Sequence, residues 1–303
     1  MTSLRTLGEL GLIARLRRRV RRSATVLVGI GDDAAVLRIP HGQRRLLFAS
    51  DMLVEGVHFN RRSVSARDIG WKALACNISD IAAMGGHPRW AVVSLGVPRT
   101  APVAFVDGLY AGLEHCARRF HMTLVGGDTV RAPQVIVDVA ILGTVEPRHL
   151  VLRSGALVGD ILFVTGRLGG SLPSGRHATF IPRLREAQAL LKQLRVHAMM
   201  DLSDGLAADL RQMSRASGVT FRIDADRIPV SNAARTVFHA LMDGEDFELL
   251  FALSAREAAR VPRRLGNCPV TRIGSVIRRG IGVELLHTDG RVRPLLPRGF
   301  RHF

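Results

Sequence analysis

Apolar positions along this chain recur with two different periods, and the switches between them mark its elements. The strongest helical pattern covers 66–84, where Trp71, Leu74, Ile78 and Ile81 follow three- and four-residue spacing. Gly85-Gly86, with Pro88 just beyond, is a stop signal for that helix. Further helices are predicted over 4–22, 102–120, 183–195, 205–217, a stretch from about 231, and 255–265. Shorter apolar runs at 25–30, 34–39, 45–50, 89–97, 122–126 and 134–146 read as strands in the first half. Those at 161–165, 219–224, 248–253, 270–276 and 281–287 read as strands in the second. The mixture is α+β, with antiparallel sheets expected in both halves.

Around 147–160 the text changes to turn chemistry, and a domain boundary is placed near residue 150. The expected units are 1–150 and 151–303, in keeping with about two domains for 303 residues. No uninterrupted apolar stretch approaches the roughly 18 residues of a membrane span. The N-terminus shows no apolar core followed by a cleavage site, so a cytoplasmic protein without a membrane partner is expected.

Charge narrows the picture less than its size suggests. There are 43 Lys+Arg against 26 Asp+Glu, a formal net charge of +17. Only Lys72 and Lys192 are lysines; the other 41 cations are arginines, spread through the whole chain. The densest run, Arg15 to Arg22, puts Leu16 and Val20 on one helical face and reads as a solvated surface. Aromatics make up 5% and do not interleave with the arginines, so no base-stacking platform is visible and a nucleic-acid partner is disfavoured. Cys76, Cys116 and Cys268 are few, widely spaced and without a metal pattern; they read as reduced core thiols.

Carboxylates in apolar segments of so basic a chain need a reason, because burying one is expensive unless it is paired or metal-bound. Asp32-Asp33 follows a predicted strand and a glycine turn, and Ser50-Asp51 ends another strand. Asp80 lies mid-helix, three residues from Asn77, in a segment of Ala, Leu and Ile. Asp128 follows Gly126-Gly127 at a predicted strand end. Asp201 and Asp204 flank Ser203 at a helix start, and Glu245, Asp246 and Glu248 cluster in GEDFEL. Taken singly, each has a structural reading: a turn, a helix cap, a buried ion pair with arginine. Taken together, separated acids beside Gly, Ser or Thr compose a site for hard cations such as Mg²⁺ and a phosphorylated ligand. The glycine-rich turn at 166–170 fits neither GxxxxGK[ST] nor GxGxxG, so a P-loop or Rossmann site is excluded. No Ser/His/Asp nucleophile arrangement is readable.

The segments GIGDDAAVL, SDMLVEGVHF, KALACNISDIAAMGGHP, LVGGDT, RSGALVGD, DLSDGLAADL and GEDFELLF run along the chain in this order. In order and spacing they resemble thiamine-monophosphate kinases, in the aminoimidazole ribonucleotide synthetase-like superfamily of ATP-dependent enzymes. The resemblance covers essentially the whole chain. It implies a two-domain α+β fold whose N-terminal domain pairs with its twin in a homodimer through a barrel-like interface. It implies phosphorylation of thiamine monophosphate by ATP with several Mg²⁺ ions. Carried over by position, Asp33, Ala49, Ser50, Asp51, Asp80, Asp128, Asp201 and Asp204 match the metal set. Tyr110, Gly127, Arg153 and Ser203 match ATP contacts, and His58 and Glu245 match substrate contacts. Asp51, Asp80, Asp128 and Arg153 fall at the reacting groups.

The chain departs from the family pattern at Pro297, where an aromatic is usual; Phe300 and Phe303 are the nearby candidates to replace it. The segment between Gly170 and Asp201 is also shorter than in many relatives. Sister branches are disfavoured by what is missing. A selenophosphate synthetase needs an early reactive cysteine, whereas the first here is Cys76; a hydrogenase-maturation dehydratase needs a C-terminal cysteine. The nearest alternative is a paralogue acting on another phosphorylated small molecule. A basic nucleic-acid-binding protein on a degenerate enzyme fold is the alternative from a different class.

Overall fold

The computed structural model describes residues 6, 8–19, 23–39, 42–300 and 302. The cationic end of the first predicted helix, residues 20–22, and Phe303 lie outside the described residues. Two sheets organise the chain. The N-terminal sheet comprises β1 (Val26–Val28), β2 (Ala35–Arg38), β3 (Arg45–Val54), β4 (His87–Val97), β5 (Thr123–Arg131) and β6 (Ile136–Val145). Their spatial order is β1-β2-β3-β6-β4-β5, antiparallel except for the parallel pair β4–β5. Helix α1 (Glu9–Arg19) precedes the sheet, and α2 (Ala66–Ala83) and α3 (Val103–Arg119) pack on one face of it.

The C-terminal sheet is built from β7 (Ile161–Thr165), β8 (Ala198–Asp201), β9 (Val219–Asp224), β10 (Leu249–Leu253), β12 (Cys268–Arg279), β13 (Gly282–Leu286) and β14 (Val292–Pro294), with the short β11 (Arg264–Leu265) beside β12. Its helices are α4 (Arg176–Thr179), α5 (Leu184–Gln193), α6 (Leu206–Ser217), α7 (Val237–Met242) and α8 (Ala255–Ala258). Again one pair, β9–β13, is parallel, so neither sheet is wholly antiparallel as expected.

Helix α2 is the hinge point of the architecture. Ser65 caps its N-terminus, its hydroxyl accepting the Asp68 N–H at 3.1 Å. Gly85, at φ +73°, ends it, with Gly85 and Gly86 N–H groups returning to Ala82 and Ile81 carbonyls. Between these ends the helix is buried nearly all round, from Ile69 to Ala83. One side meets the N-terminal sheet; another meets β8, α4 and α5 of the second half. The α2–α3 crossing is close because both helices carry glycine there. A Cβ on Gly70 would stand 1.9 Å from the Leu109 carbonyl oxygen, and one on Gly112 would stand 1.9 Å from that of Arg67. The main hydrophobic core consequently runs through the seam, joining Val36, Leu74 and Val139 to Phe163, Leu190 and Phe251. A second core, around Leu206, Leu210 and Phe221, lies under α6.

Several sequence-predicted boundaries move. β3 does not end at Ser50-Asp51 but runs on to Val54, because β6 pairs with it along its full length. β5 likewise continues through Gly126-Gly127-Asp128 to Arg131, alongside β4. Gly127 is required by that pairing, since a Cβ would lie 1.8 Å from the Val93 carbonyl oxygen. The helix expected over 255–265 stops at Ala258, where the chain turns toward β11. The helical stretch expected from about 231 begins only at Val237. β8, β14 and α4 were not legible as separate elements. All three cysteines are buried and free, as their core reading requires. No helix of the described residues is long and apolar enough to cross a membrane.

Candidate active site

The acids converge where α2 meets the second sheet. Asp33 follows β1, Asp80 sits near the end of α2, and Asp201 ends β8; ligand oxygens from all three lie within 4.8 Å of one another. Ser79, beside Asp80, donates from Oγ to Asp201 Oδ2 at 2.6 Å. Arg153, in the segment joining the domains, donates from Nε and Nη2 to Asp33 Oδ1 at 3.0 and 2.5 Å. Its backbone N–H donates to Asp32 Oδ1 at 3.1 Å, and its Nη1 to Gln212 Oε1 at 3.0 Å. Gln212 then donates from Nε2 to Asp204 Oδ2 at 3.1 Å. Among the described residues, the buried Asp33 Oδ2 has no hydrogen-bond partner.

Crowding of carboxylates shows in their acidities. Burial pushes Asp80 well above the ordinary aspartate range, and the charges of Asp51, Asp201 and Asp33 push it further. Asp201 is raised to about 7 by burial and by Asp33, against the lowering effect of the Ser79 hydrogen bond and Arg153. Asp51 is raised by burial, then by Asp138 and Asp33. Asp204 is raised by burial and by Glu9, so α1 lies near this side of the site. Asp209, fully buried on α6, accepts the Asp204 N–H and is raised well above its usual range by burial and its acidic neighbours. Arg153 sets its charge against Asp32, Asp33, Asp51, Asp80, Asp201, Asp204 and Asp209. Such a set is stabilised by adding cations.

Neighbouring residues of a strand face opposite sides. Asp51, opposite Val139, feels the charge of Asp33 and adds its own to Asp80 on the α2 side of the sheet. Ser50, one residue earlier, donates to Asp138 at 3.0 Å on the open face of the sheet. Asp128 is exposed on β5 and accepts the Thr129 N–H. The Ala49 carbonyl belongs to β3, Tyr110 is half-buried on α3, and Gly127 lies in β5. Among the described residues, no hydrogen bond or ion pair joins Asp128, Ser50 or Tyr110 to the Asp33–Asp80–Asp201 cluster. Ser203 lies between Asp201 and Asp204, and its carbonyl accepts the Glu245 N–H at 2.7 Å.

His58 and Glu245, far apart in sequence, meet through Lys72. The Lys72 ammonium donates to Glu245 Oε1 at 2.6 Å and to the His58 carbonyl at 2.7 Å. His58 Nδ1 accepts the Val54 N–H at 3.0 Å, which leaves Nε2 as the donor of a neutral ring. Burial, with His302 and Lys72 adding to it, lowers the His58 pKa to about 4. The Phe300 and His302 rings lie 6.2 and 5.2 Å from the His58 ring. Asp246 and Glu248 do different work. They pair with Arg176 and Arg183 and tie the glycine-rich turn to β10 through Gly169 N–H and Thr165 Oγ1.

Sequence reasoning missed Lys72, Ser79, Asp138, Asp209 and Gln212. Lys72 did leave a signal, as one of two lysines among 43 cations. The others lie in segments whose pattern is ordinary.

Comparison with known proteins places this geometry. Residues 31–145 match the family model of the AIR synthase related protein N-terminal domain, and residues 158–285 match that of the C-terminal domain. A thiamine-monophosphate kinase of Rhodopirellula baltica is 39% identical, over 97% of this chain and 97% of that protein. The chain belongs to the thiamine-monophosphate kinase family. The Bacillus subtilis enzyme is 35% identical over 98% of this chain and 100% of its own length. Among solved structures, AaThiL complexed with AMPPCP and TMP superposes with a TM-score of 0.87 at 32% identity, covering 100% of this chain and 99% of that one. The hydrogenase maturation protein HypE in complex with ATP, at 20% identity and a TM-score of 0.71 over 87% of each chain, shares the fold. The carboxylate cluster therefore stands in the fold of a family whose solved relative holds a nucleotide analogue and TMP together.

Proposed function

We propose that the chain transfers the γ-phosphoryl group of ATP to thiamine monophosphate, giving thiamine diphosphate and ADP. The observation that carries this reading is the Asp33–Asp80–Asp201 cluster braced by Arg153, in a chain similar to thiamine-monophosphate kinases over nearly its whole length. Both expected domains, 1–150 and 151–303, would line the site: the first would supply Asp33, Asp51 and Asp80, the second Arg153, Asp201, Asp204 and Glu245.

The donor set fits Mg²⁺. It is all oxygen, it is short of positive charge, and the buried Asp33 Oδ2 has no partner among the described residues. Asp33, Asp51, Asp80, Asp201 and Asp204 would hold ions at the cluster, and the Ala49 carbonyl, Ser50 and Asp128, outside it on β3 and β5, would serve a separate ion. When bound, Mg²⁺ neutralises phosphate charge and so lets two anions approach.

The chain's own residues do the rest. An oxygen of the acceptor phosphate forms a bond to the γ-phosphorus as the bond from that phosphorus to the ADP oxygen breaks. No general base is needed, because a phosphate monoester with a second pKa near ~6 is already largely dianionic at neutral pH. Arg153, held by Asp33 and Gln212, offers a cation oriented before substrate arrives. Tyr110, Gly127 and Ser203 would contact ATP; His58 and Glu245 would contact thiamine monophosphate. The displacement is direct, with no covalent enzyme intermediate.

The open face of the N-terminal sheet supports a homodimer. Phe48, Met52, Trp90, Val92, Val125 and Val130 are exposed there, an apolar surface on which a second copy would close a barrel-like interface. Light scattering on the purified protein tests it, and a monomer at micromolar concentration would remove the dimer from the reading.

Purified protein with Mg²⁺, ATP and thiamine monophosphate is expected to form thiamine diphosphate, and Asp80→Asn to lower kcat by about 100-fold or more. Absence of thiamine diphosphate with the unaltered chain, or formation of product from another phosphorylated acceptor alone, overturns the proposed substrate. Net retention of configuration at a chiral γ-phosphate overturns the single displacement.

A further inference from the structure

We propose that Lys72 is a positioning residue for substrate. It holds Glu245 so that one carboxylate oxygen stays free to accept an N–H from a ring-bound amino group. The inference rests on the kinase reading above and specifies how its acceptor is chosen.

The geometry has four parts. Lys72 is wholly buried in α2, and its ammonium bridges Glu245 Oε1 of the second domain and the His58 carbonyl of the first. Glu245 has a φ of +62°, a left-handed conformation that a non-glycine residue keeps only when its surroundings hold it there. Its N–H goes to Ser203 and its carbonyl accepts the Ser171 hydroxyl, so the backbone is fixed on both sides. Among the described residues, the buried Glu245 Oε2 has no hydrogen-bond partner. A buried acceptor left without a donor costs free energy, and a ligand that supplies the donor recovers it.

The ion pair also decides what kind of ligand group suits the site. With Lys72 attached, Glu245 carries no net charge to spare for a cation. What remains is one oriented oxygen, which selects a hydrogen-bond donor. Thiamine monophosphate offers a cationic thiazolium and an aminopyrimidine, and only the second carries N–H donors.

The choice of lysine fits this role. In a chain whose other cations are almost all arginine, Lys72 occupies a pocket that needs a compact charge with separate donors. A planar guanidinium there would have to displace buried neighbours. Lys72→Arg therefore keeps the charge and is expected to lose the function.

The test compares thiamine monophosphate with oxythiamine monophosphate, in which an oxo group replaces the amino group and the thiazolium is unchanged. The unaltered chain is expected to prefer the amino compound by at least about 100-fold in kcat/KM, since a site built around a hydrogen bond rejects its absence strongly. Lys72→Met and Lys72→Arg are expected to raise KM for thiamine monophosphate about tenfold or more, with KM for ATP within about twofold, and to shrink the preference below about tenfold. Lys72→Met with Glu245→Gln removes both buried charges together and serves where the single variant fails to fold; it is expected to show the same loss of preference. Equal use of both compounds by the unaltered chain overturns the proposal, as does full preference retained in a folded Lys72 variant. If the unaltered chain uses neither compound while still binding ATP, the kinase reading falls and this one with it.

Discussion

Ser79 on α2 donates a 2.6 Å hydrogen bond to Asp201 at the end of β8, joining the two domains at the centre of the acidic cluster. The bond favours the ionised form of Asp201, against burial and the charge of Asp33. Ser79→Ala removes it in a place water does not reach. Hydrogen bonds to charged groups contribute about 1.5–3 kcal/mol, and a loss in that range is expected in urea unfolding. Mg²⁺ affinity should fall as well, because Asp201 then yields its proton less readily. A variant with unchanged stability and metal affinity would show that the contact is incidental.

Metal and protons compete for these acids. Asp201 has a folded-state pKa of about 7, against roughly 3.9 for an unfolded aspartate. A raised folded pKa means the native state holds its proton more tightly. The stabilisation from that proton is complete below about pH 4 and is lost as pH rises to about 7. The metal-free protein should therefore lose melting temperature between pH 5 and pH 8 relative to Asp201→Asn, which has no proton to lose. Added Mg²⁺ should raise the melting temperature more at pH 8 than at pH 5.5. Differential scanning fluorimetry with EDTA and with Mg²⁺ measures both, and a metal effect independent of pH would contradict the assignment of the cluster.

Gln212 connects Arg153 to Asp204, accepting from one at 3.0 Å and donating to the other at 3.1 Å. Its amide has both functions, which neither a carboxylate nor an apolar side chain reproduces. Gln212→Leu leaves Arg153 paired with Asp33 but frees the far side of the guanidinium. The expected result is a fall in kcat of about tenfold with small changes in either KM, the pattern of a contact that matters most in the transition state. Steady-state kinetics in both substrates would decide it.

What was legible in the sequence was the acids and the main elements; what was not was their facing. Asp33, Asp80 and Asp201 stood out because carboxylates are rare in apolar surroundings, and all three meet in the structure. Ser50 and Asp51 were read together because they are adjacent, yet a strand turns them to opposite faces. The expected strand end at Asp51 hid the alternation that runs on to Val54. Ser79 and Gln212 could not be found by pattern, since Ser79 gains its role from Asp201 in the other domain and Gln212 from bridging Asp204 to Arg153 in the connecting segment. The expected helix over 255–265 overran Pro262, a helix breaker legible in the sequence, and tertiary pairing draws 264–265 into a strand.

The α2–α3 crossing offers a test of how far the site depends on packing alone. Gly112 touches no proposed site residue, but it lets the Arg67 carbonyl approach to where its own Cβ would stand, 1.9 Å away. The obstruction is backbone, so no rotamer change relieves it, and Gly112→Ala must push α2 and α3 apart. Overpacking of this kind costs about 1–3 kcal/mol and occasionally more. The displaced helix is the one that carries Lys72, Ser79 and Asp80. Gly112→Ala is therefore expected to lower both the unfolding midpoint and kcat, although alanine favours helix. Gly70→Ala obstructs the same crossing from the other side, against the Leu109 carbonyl. Because one separation of the helices relieves both clashes, the double variant should be less destabilised than the sum of the two singles. Strict additivity in urea unfolding would mean that the helices do not move as a pair, and the link from this crossing to the catalytic cluster would fail.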